Sequence, residues 1–217
     1  MFRLPEKITF ALPEQIGNTD LFVGRKKEFD FFLGDWYSYL KRDFAQSQAL
    51  LARRKKGKTA FLQRLFNILW SDAAGGVVPF FLTIKDLKTN LADFSMSFFT
   101  IFAKQYVSFV ERKKELAASP LDFQELEETL RPFPVLHSKW GSLQRFRERN
   151  EWGLMWEAVS SFPSQLAVTQ DTKIVQIFDE FQNIDSYVYD QHDHLIDSMS
   201  GTYLDLAEKR QAPLIVS

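Results

Sequence analysis

Hydrophobic positions along the chain follow two periods. From 25 to 42, Phe29, Phe32, Leu33, Trp36 and Leu40 recur every three or four residues, which predicts an amphipathic helix. The short apolar run 48–51 suits a buried strand, and helical spacing resumes over 60–70 through Phe61, Leu62, Leu65, Phe66 and Leu69. Gly75-Gly76 breaks the chain, and 77–84 reads as a second strand that Pro79 makes imperfect. Phe94, Phe98, Ile101, Phe102, Tyr106 and Phe109 trace one face of a second long helix, and such a stripe predicts core. The segment 119–150 carries three prolines and many charges with ambiguous periodicity, so it reads as a polar helical insertion of short helices and loops. Residues 151–162 are predicted helical, and 173–178 is a third strand that ends at Asp179-Glu180. A polar-faced helix is predicted over 193–209, and 213–216 begins a fourth strand. Residues 1–20, punctuated by Pro5, Pro13 and Gly17-Asn18, read as an irregular arm ahead of one domain over 21–217. Strands separated by helices predict an α/β fold with a parallel sheet and helices on both faces.

Composition adds exclusions. The 217 residues carry 27 Lys+Arg against 28 Asp+Glu, a formal charge of −1, which argues against a protein that binds nucleic acid by being basic overall. There is no cysteine, which removes disulfide scaffolds, thiol catalysis and Cys-ligated zinc. With 22 Phe beside 6 Tyr and 5 Trp, the core is expected to be built on large aromatic discs. No stretch approaches the roughly 20 apolar residues of a membrane span, and 1–19 has no continuous apolar run for a secretory signal. A cytoplasmic protein is the default expectation.

The chemistry concentrates at two strand ends. Residues 52–59 read A-R-R-K-K-G-K-T between a predicted strand and a predicted helix, the context of the phosphate-binding pattern G-x-x-x-x-G-K-[ST]. Backbone N–H groups of Ala52, Arg53, Arg54, Lys55, Lys56 and Gly57, with those of Lys58, Thr59 and Ala60 at the helix start, would point at phosphates, aided by the helix dipole. Gly57 lets the backbone come close to the ligand, Lys58 reaches the β- and γ-phosphates, and Thr59 offers its hydroxyl to Mg²⁺. Ala52 stands where the pattern has its first glycine; a positive φ there would strain it, and an ordinary φ would not. The bland alternative is a solvated basic run. The second element is 174–180, I-V-Q-I-F-D-E, an apolar strand ending in two carboxylates. Asp179 is the candidate Mg²⁺ ligand and Glu180 the candidate general base toward water, against the alternative of a helix cap.

With Leu21-Phe22-Val23-Gly24-Arg25 ahead of the first strand, the chain resembles AAA-related P-loop ATPases of the archaeal-ATPase and STAND type. The resemblance covers most of 20–217. It implies a three-layer P-loop NTPase fold of the additional-strand class, with ATP and Mg²⁺ as ligands. It also implies that Phe22, Val23, Gly24 and Arg25 border the adenine or its ribose, and Arg53-Arg54 matches the family's common loop. Ser217, the polar residue ending the next strand, would be the γ-phosphate sensor. The motif order further implies that the chain stops before a fifth core strand and a helical lid, so 217 residues are expected to be the front of a longer protein. Protein partners or self-association would then act through the missing part. Three alternatives stay open: a nucleotide-gated interaction module with little turnover, a nucleic-acid-loading ATPase, and a structural fold with a degenerate site. The run Asp190, His192, Asp193, His194 is more simply a polar loop than a metal site. The basic groups 112–114 and Arg145, Arg147, Arg149 read as solvated faces.

Overall fold

The computed structural model describes residues 7–16, 22, 24–53, 56–207 and 212–217, with the side chains of 205–207 excepted. The elements run α1 (Lys26–Asp30), a π-helical turn (Phe31–Trp36), α2 (Tyr37–Lys41), β1 (Gln48–Ala49), α3 (Lys58–Ser71), β2 (Val77–Thr83), β3 (Thr89–Asn90) and α4 (Leu91–Glu111). There follow α5 (Lys114–Ala118), α6 (Phe123–Leu130), α7 (Pro134–Glu148), α8 (Trp152–Ser160), α9 (Phe162–Thr169), β4 (Lys173–Asp179), α10 (Ile184–Tyr187), β5 (Val188–Tyr189), α11 (Met199–Ala207) and β6 (Leu214–Val216). Among the described residues no helix is long and apolar enough to cross a membrane.

Four strands form a wholly parallel sheet in the order β1-β6-β4-β2, so the last strand lies between the first and the strand that carries Asp179. Register sets Thr83 opposite Asp179, and Phe178 opposite Val216. Alternation along β2 assigns the layers. The Phe81 ring meets Phe66 of α3 at 6.5 Å, while Phe80 meets Phe98 and Phe102 of α4 at 5.2 and 5.1 Å. Helices α3 and α4 therefore cover opposite faces. Pro79 is tolerated because β2 pairs on one side only. The other side of β2 is met by α4: the Gln105 amide accepts from the Phe81 N–H at 2.7 Å and donates to its carbonyl at 2.9 Å. A two-residue parallel ladder, β3 with β5, was not foreseen.

Three expectations need adjustment. The insertion is more ordered than its composition suggested: α7 is a 15-residue helix with Pro134 in its first turn, and Leu126, Leu130, Leu136, Trp140 and Leu143 are buried in the common core. The helix expected from 193 starts only at Met199, because the Asp190 carboxylate takes the N–H groups of His192 and His194 into a turn. Residues 9–15 of the arm, finally, are docked on α3. Thr9 N–H donates to Ser71 Oγ at 2.7 Å, Leu12 N–H to Asn67 Oδ1 at 2.9 Å, and Gln15 N–H to Gln63 Oε1 at 2.7 Å. Residues 63, 67 and 71 are one helical turn apart, so α3 presents a polar ladder that replaces a strand partner for the arm.

Candidate functional site

The carboxyl ends of parallel strands are where open α/β sheets collect ligands, and the chain's main cleft opens there. It measures about 850 Å³ and is lined by the loop and helix start (Lys56 to Ala60), by Thr83 to Asp86 after β2, and by Glu180, Gln182 and Asn183 after β4. Gln15 and Tyr187 complete its wall.

The loop side is shaped by Gly57, which sits at φ 71° as the residue before α3, with open space where a Cβ would point. Its carbonyl accepts the Phe61 N–H at 3.0 Å, the first bond of the helix. The N–H groups of α3's first turn have no earlier carbonyl to bind and are free to meet an anion. Ala52 is not among the residues with positive φ, so alanine in place of the pattern's first glycine carries no backbone strain. Ala52 is half-buried and Arg53 exposed, and neither lines the cleft; Arg54, Lys55 and Val23 lie outside the described residues. Lys58 and Thr59 are half-buried and face the cleft, whereas Ala60 is buried beneath it.

Asp179 is the centre of the arrangement. It is 1% exposed at the end of β4, the strand whose Phe178 ring is fixed against Phe80, Phe98 and Tyr203. Thr59 Oγ1 donates to its Oδ2 at 2.7 Å, across 120 residues of sequence, and Ser217 Oγ donates to its Oδ1 at 2.6 Å. A carboxylate this enclosed persists only when its lone pairs are used, and both oxygens are. Glu180 follows in the left-handed region at φ 55°, which turns its side chain off the strand line into the cleft. Gln182 Nε2 donates to Glu180 Oε2 at 2.6 Å and so orients that carboxylate.

Arg25 meets the loop rather than the cleft. Gly24 at φ 86° and Arg25 at φ 57° turn the chain, and Arg25 Nη2 donates to the Lys56 carbonyl at 2.6 Å. Arg25 also pairs with Glu28 at 2.7 Å, and that guanidinium, foremost through its hydrogen bond, holds the Glu28 carboxyl below the usual range. The Phe22 ring is held by Phe29 at 5.6 Å and by the Arg64 guanidinium at 4.6 Å. None of Phe22, Gly24 and Arg25 lines the cleft, and Arg25 braces the loop before α3 through the Lys56 carbonyl.

Lys85, Asp86, Gln182, Asn183, Tyr187 and Gln15 were missed by sequence reasoning, although they share the cleft. The rule that ligands gather beyond strand ends points at 84–86 as soon as 77–84 is read as a strand. Among the described residues no group of three or more His, Asp or Glu side chains is placed to hold a metal, and the 190–194 run is a hydrogen-bonded turn. Comparison with protein-family models, with curated proteins and with solved structures gives no match.

Proposed function

We propose that the chain binds ATP with Mg²⁺ and hydrolyses it, through a P-loop site on a sheet of the additional-strand type. The single observation that carries this reading is the Thr59–Asp179 hydrogen bond. It joins the last residue of R-R-K-K-G-K-T, which lines a cleft large enough for a nucleotide, to the buried carboxylate ending I-V-Q-I-F-D. A helix cap or a solvated basic run accounts for either motif alone, but neither requires that they meet. The strand order supports the same class, since β6 intervenes between the loop strand and the Asp179 strand. The choice of ATP rests on the sequence resemblance.

The oxygen set suits a hard divalent ion. Thr59 and Asp179 would hold Mg²⁺ with water completing its shell, a site that needs no cluster of three protein carboxylates. The ion supplies neutralising charge for the phosphates. The chain's own groups do the rest. The amides of the Gly57 turn and the first turn of α3 would cradle the phosphate chain, and Lys58 would neutralise its outer part. Glu180 takes a proton from water as the water oxygen bonds to the γ-phosphorus. The bond from that phosphorus to the bridging oxygen breaks, and ADP leaves with the electron pair. Ser217 holds Asp179 in position.

Glu180→Gln keeps the shape and removes the base. The variant is expected to bind ATP·Mg²⁺ within about 3-fold of wild type while phosphate release falls by about 100-fold or more. Unchanged phosphate release from purified Glu180→Gln would contradict the role of Glu180.

A further inference from the structure

We propose that Lys85 is a second phosphate-directed cation of this cleft, supplied by the chain itself, which stabilises the charge that develops on the transferred phosphoryl group. The proposal rests on the hydrolysis reading above and assigns a residue that the motifs do not contain.

Thr83 is opposite Asp179 in register, and the next residue is clamped to the same strand end from both of its backbone groups. Ile84 N–H donates to the Asp179 carbonyl at 3.0 Å, and Asn183 Nδ2 donates to the Ile84 carbonyl at 2.8 Å. Lys85 therefore leaves a backbone that is tied to the segment bearing Asp179 and Glu180, and its side chain lines the same cleft as Lys58 and Thr59. Lys58 reaches the cleft from the start of α3, and Lys85 from just beyond the end of β2.

Lys88, Lys113 and Lys173 each pair with a carboxylate, to Asp193, Glu111 and Asp43 respectively. Lys85 has no such partner among the described residues, even with Asp86 beside it, and it is exposed to the cleft rather than folded onto protein. Among the described residues no arginine lines the cleft. Phosphoryl transfer spreads negative charge over the equatorial oxygens and gains most from a cation fixed before the reaction starts. On the side away from the loop, Lys85 is the described cleft residue with the right charge and a fixed base.

The test uses the 217-residue chain as wild type, Lys85→Ala and Lys85→Arg. Calorimetry reads the binding of ADP·Mg²⁺ with and without aluminium fluoride, a mimic of the phosphoryl group in flight, and phosphate release is measured over a range of protein concentrations. Expected are ADP·Mg²⁺ affinities within about 2-fold across the three proteins, and an aluminium fluoride complex weakened about 100-fold in Lys85→Ala, with Lys85→Arg restoring most of it. Turnover per chain should fall in parallel in Lys85→Ala and, in wild type, should not depend on protein concentration. The proposal is overturned if Lys85→Ala matches wild type in both readouts, if aluminium fluoride does not tighten the wild-type complex, or if turnover per chain rises with concentration, which would assign the cation to a second copy. Wild type that fails to bind ADP·Mg²⁺ removes the nucleotide reading and the proposal together; normal binding with no effect of Lys85 removes only the proposal.

Discussion

Asp179 is nearly sealed from water, and its two oxygens are served by one hydroxyl each, from Thr59 and Ser217. A hydrogen bond to a buried charge is worth about 1.5–3 kcal/mol, and orphaning the carboxylate costs in that range. Thr59→Val keeps the volume and removes the donor. It should lower unfolding free energy in urea by about 2 kcal/mol and abolish the Mg²⁺ dependence of nucleotide binding, whereas Thr59→Ser should keep both. An unchanged urea midpoint for Thr59→Val would show that the bond does not hold in solution. Gly57 is constrained by backbone alone: φ is 71° and a Cβ there would meet nothing within 4 Å. Gly57→Ala should therefore cost about 1–2 kcal/mol through the left-handed conformation, with no packing defect to add.

The helix after the loop works on two sides. Its apolar face packs on the sheet, and its polar ladder of Gln63, Asn67 and Ser71 holds the arm's backbone. Asn67 is fully buried, donating to the Leu12 carbonyl at 3.0 Å as well as accepting its N–H. Asn67→Leu strands both groups, so a loss of about 2 kcal/mol or more is expected, with amide exchange quickened across residues 9–15 and unchanged in α4. At the far end of the helix, Tyr37 donates to Asp72 Oδ2 at 3.1 Å. Burial first, and then the Asp72 charge, push its phenol well above the ordinary range. A group whose folded pKa is raised gives stability that is present below its unfolded pKa and lost as pH climbs toward the folded one. Unfolding free energy should thus fall above about pH 10, and Tyr37→Phe should flatten that decline.

These elements also show what was legible. The loop strand, the long helices and the strands at 77–84 and 173–178 are written in period and punctuation, because burial on a sheet or a helix face imposes them. Helix α7 was obscured by Pro132 and Pro134, which mark its start rather than a break. The false helix at 193–198 fails because Asp190 offers nearby N–H groups a better partner than a new helix would, and those bonds hold the Asp190 carboxyl below its usual range. The docked segment of the arm left one trace in the sequence, the polar residues Gln63, Asn67 and Ser71 spaced four apart along the helix. Of the residues singled out in the sequence, Lys58, Thr59 and Glu180 line one cleft, and Thr59 bonds Asp179 beneath it. Arg25 was readable as a motif but not as a brace. Lys85 belongs to no motif, and only its place just beyond a strand end points to the cleft.

At the scale of the molecule, four parallel strands bring segments near 57, 83, 179 and 217 to one edge, and the aromatic core beneath keeps that edge in place. The near-zero net charge is compatible with a cleft whose lysines Lys56, Lys58 and Lys85 exceed its two carboxylates, because the excess is local. The account stands on that edge being a nucleotide site, and the most direct measurement is an equilibrium titration of ATP·Mg²⁺ into wild type and Lys58→Ala, both confirmed folded by circular dichroism. Wild type should bind one nucleotide per chain, and loss of the Lys58 contact should weaken binding by about 10- to 100-fold, the equivalent of a charged hydrogen bond. Equal affinity in the two proteins, or no binding by either, would contradict it.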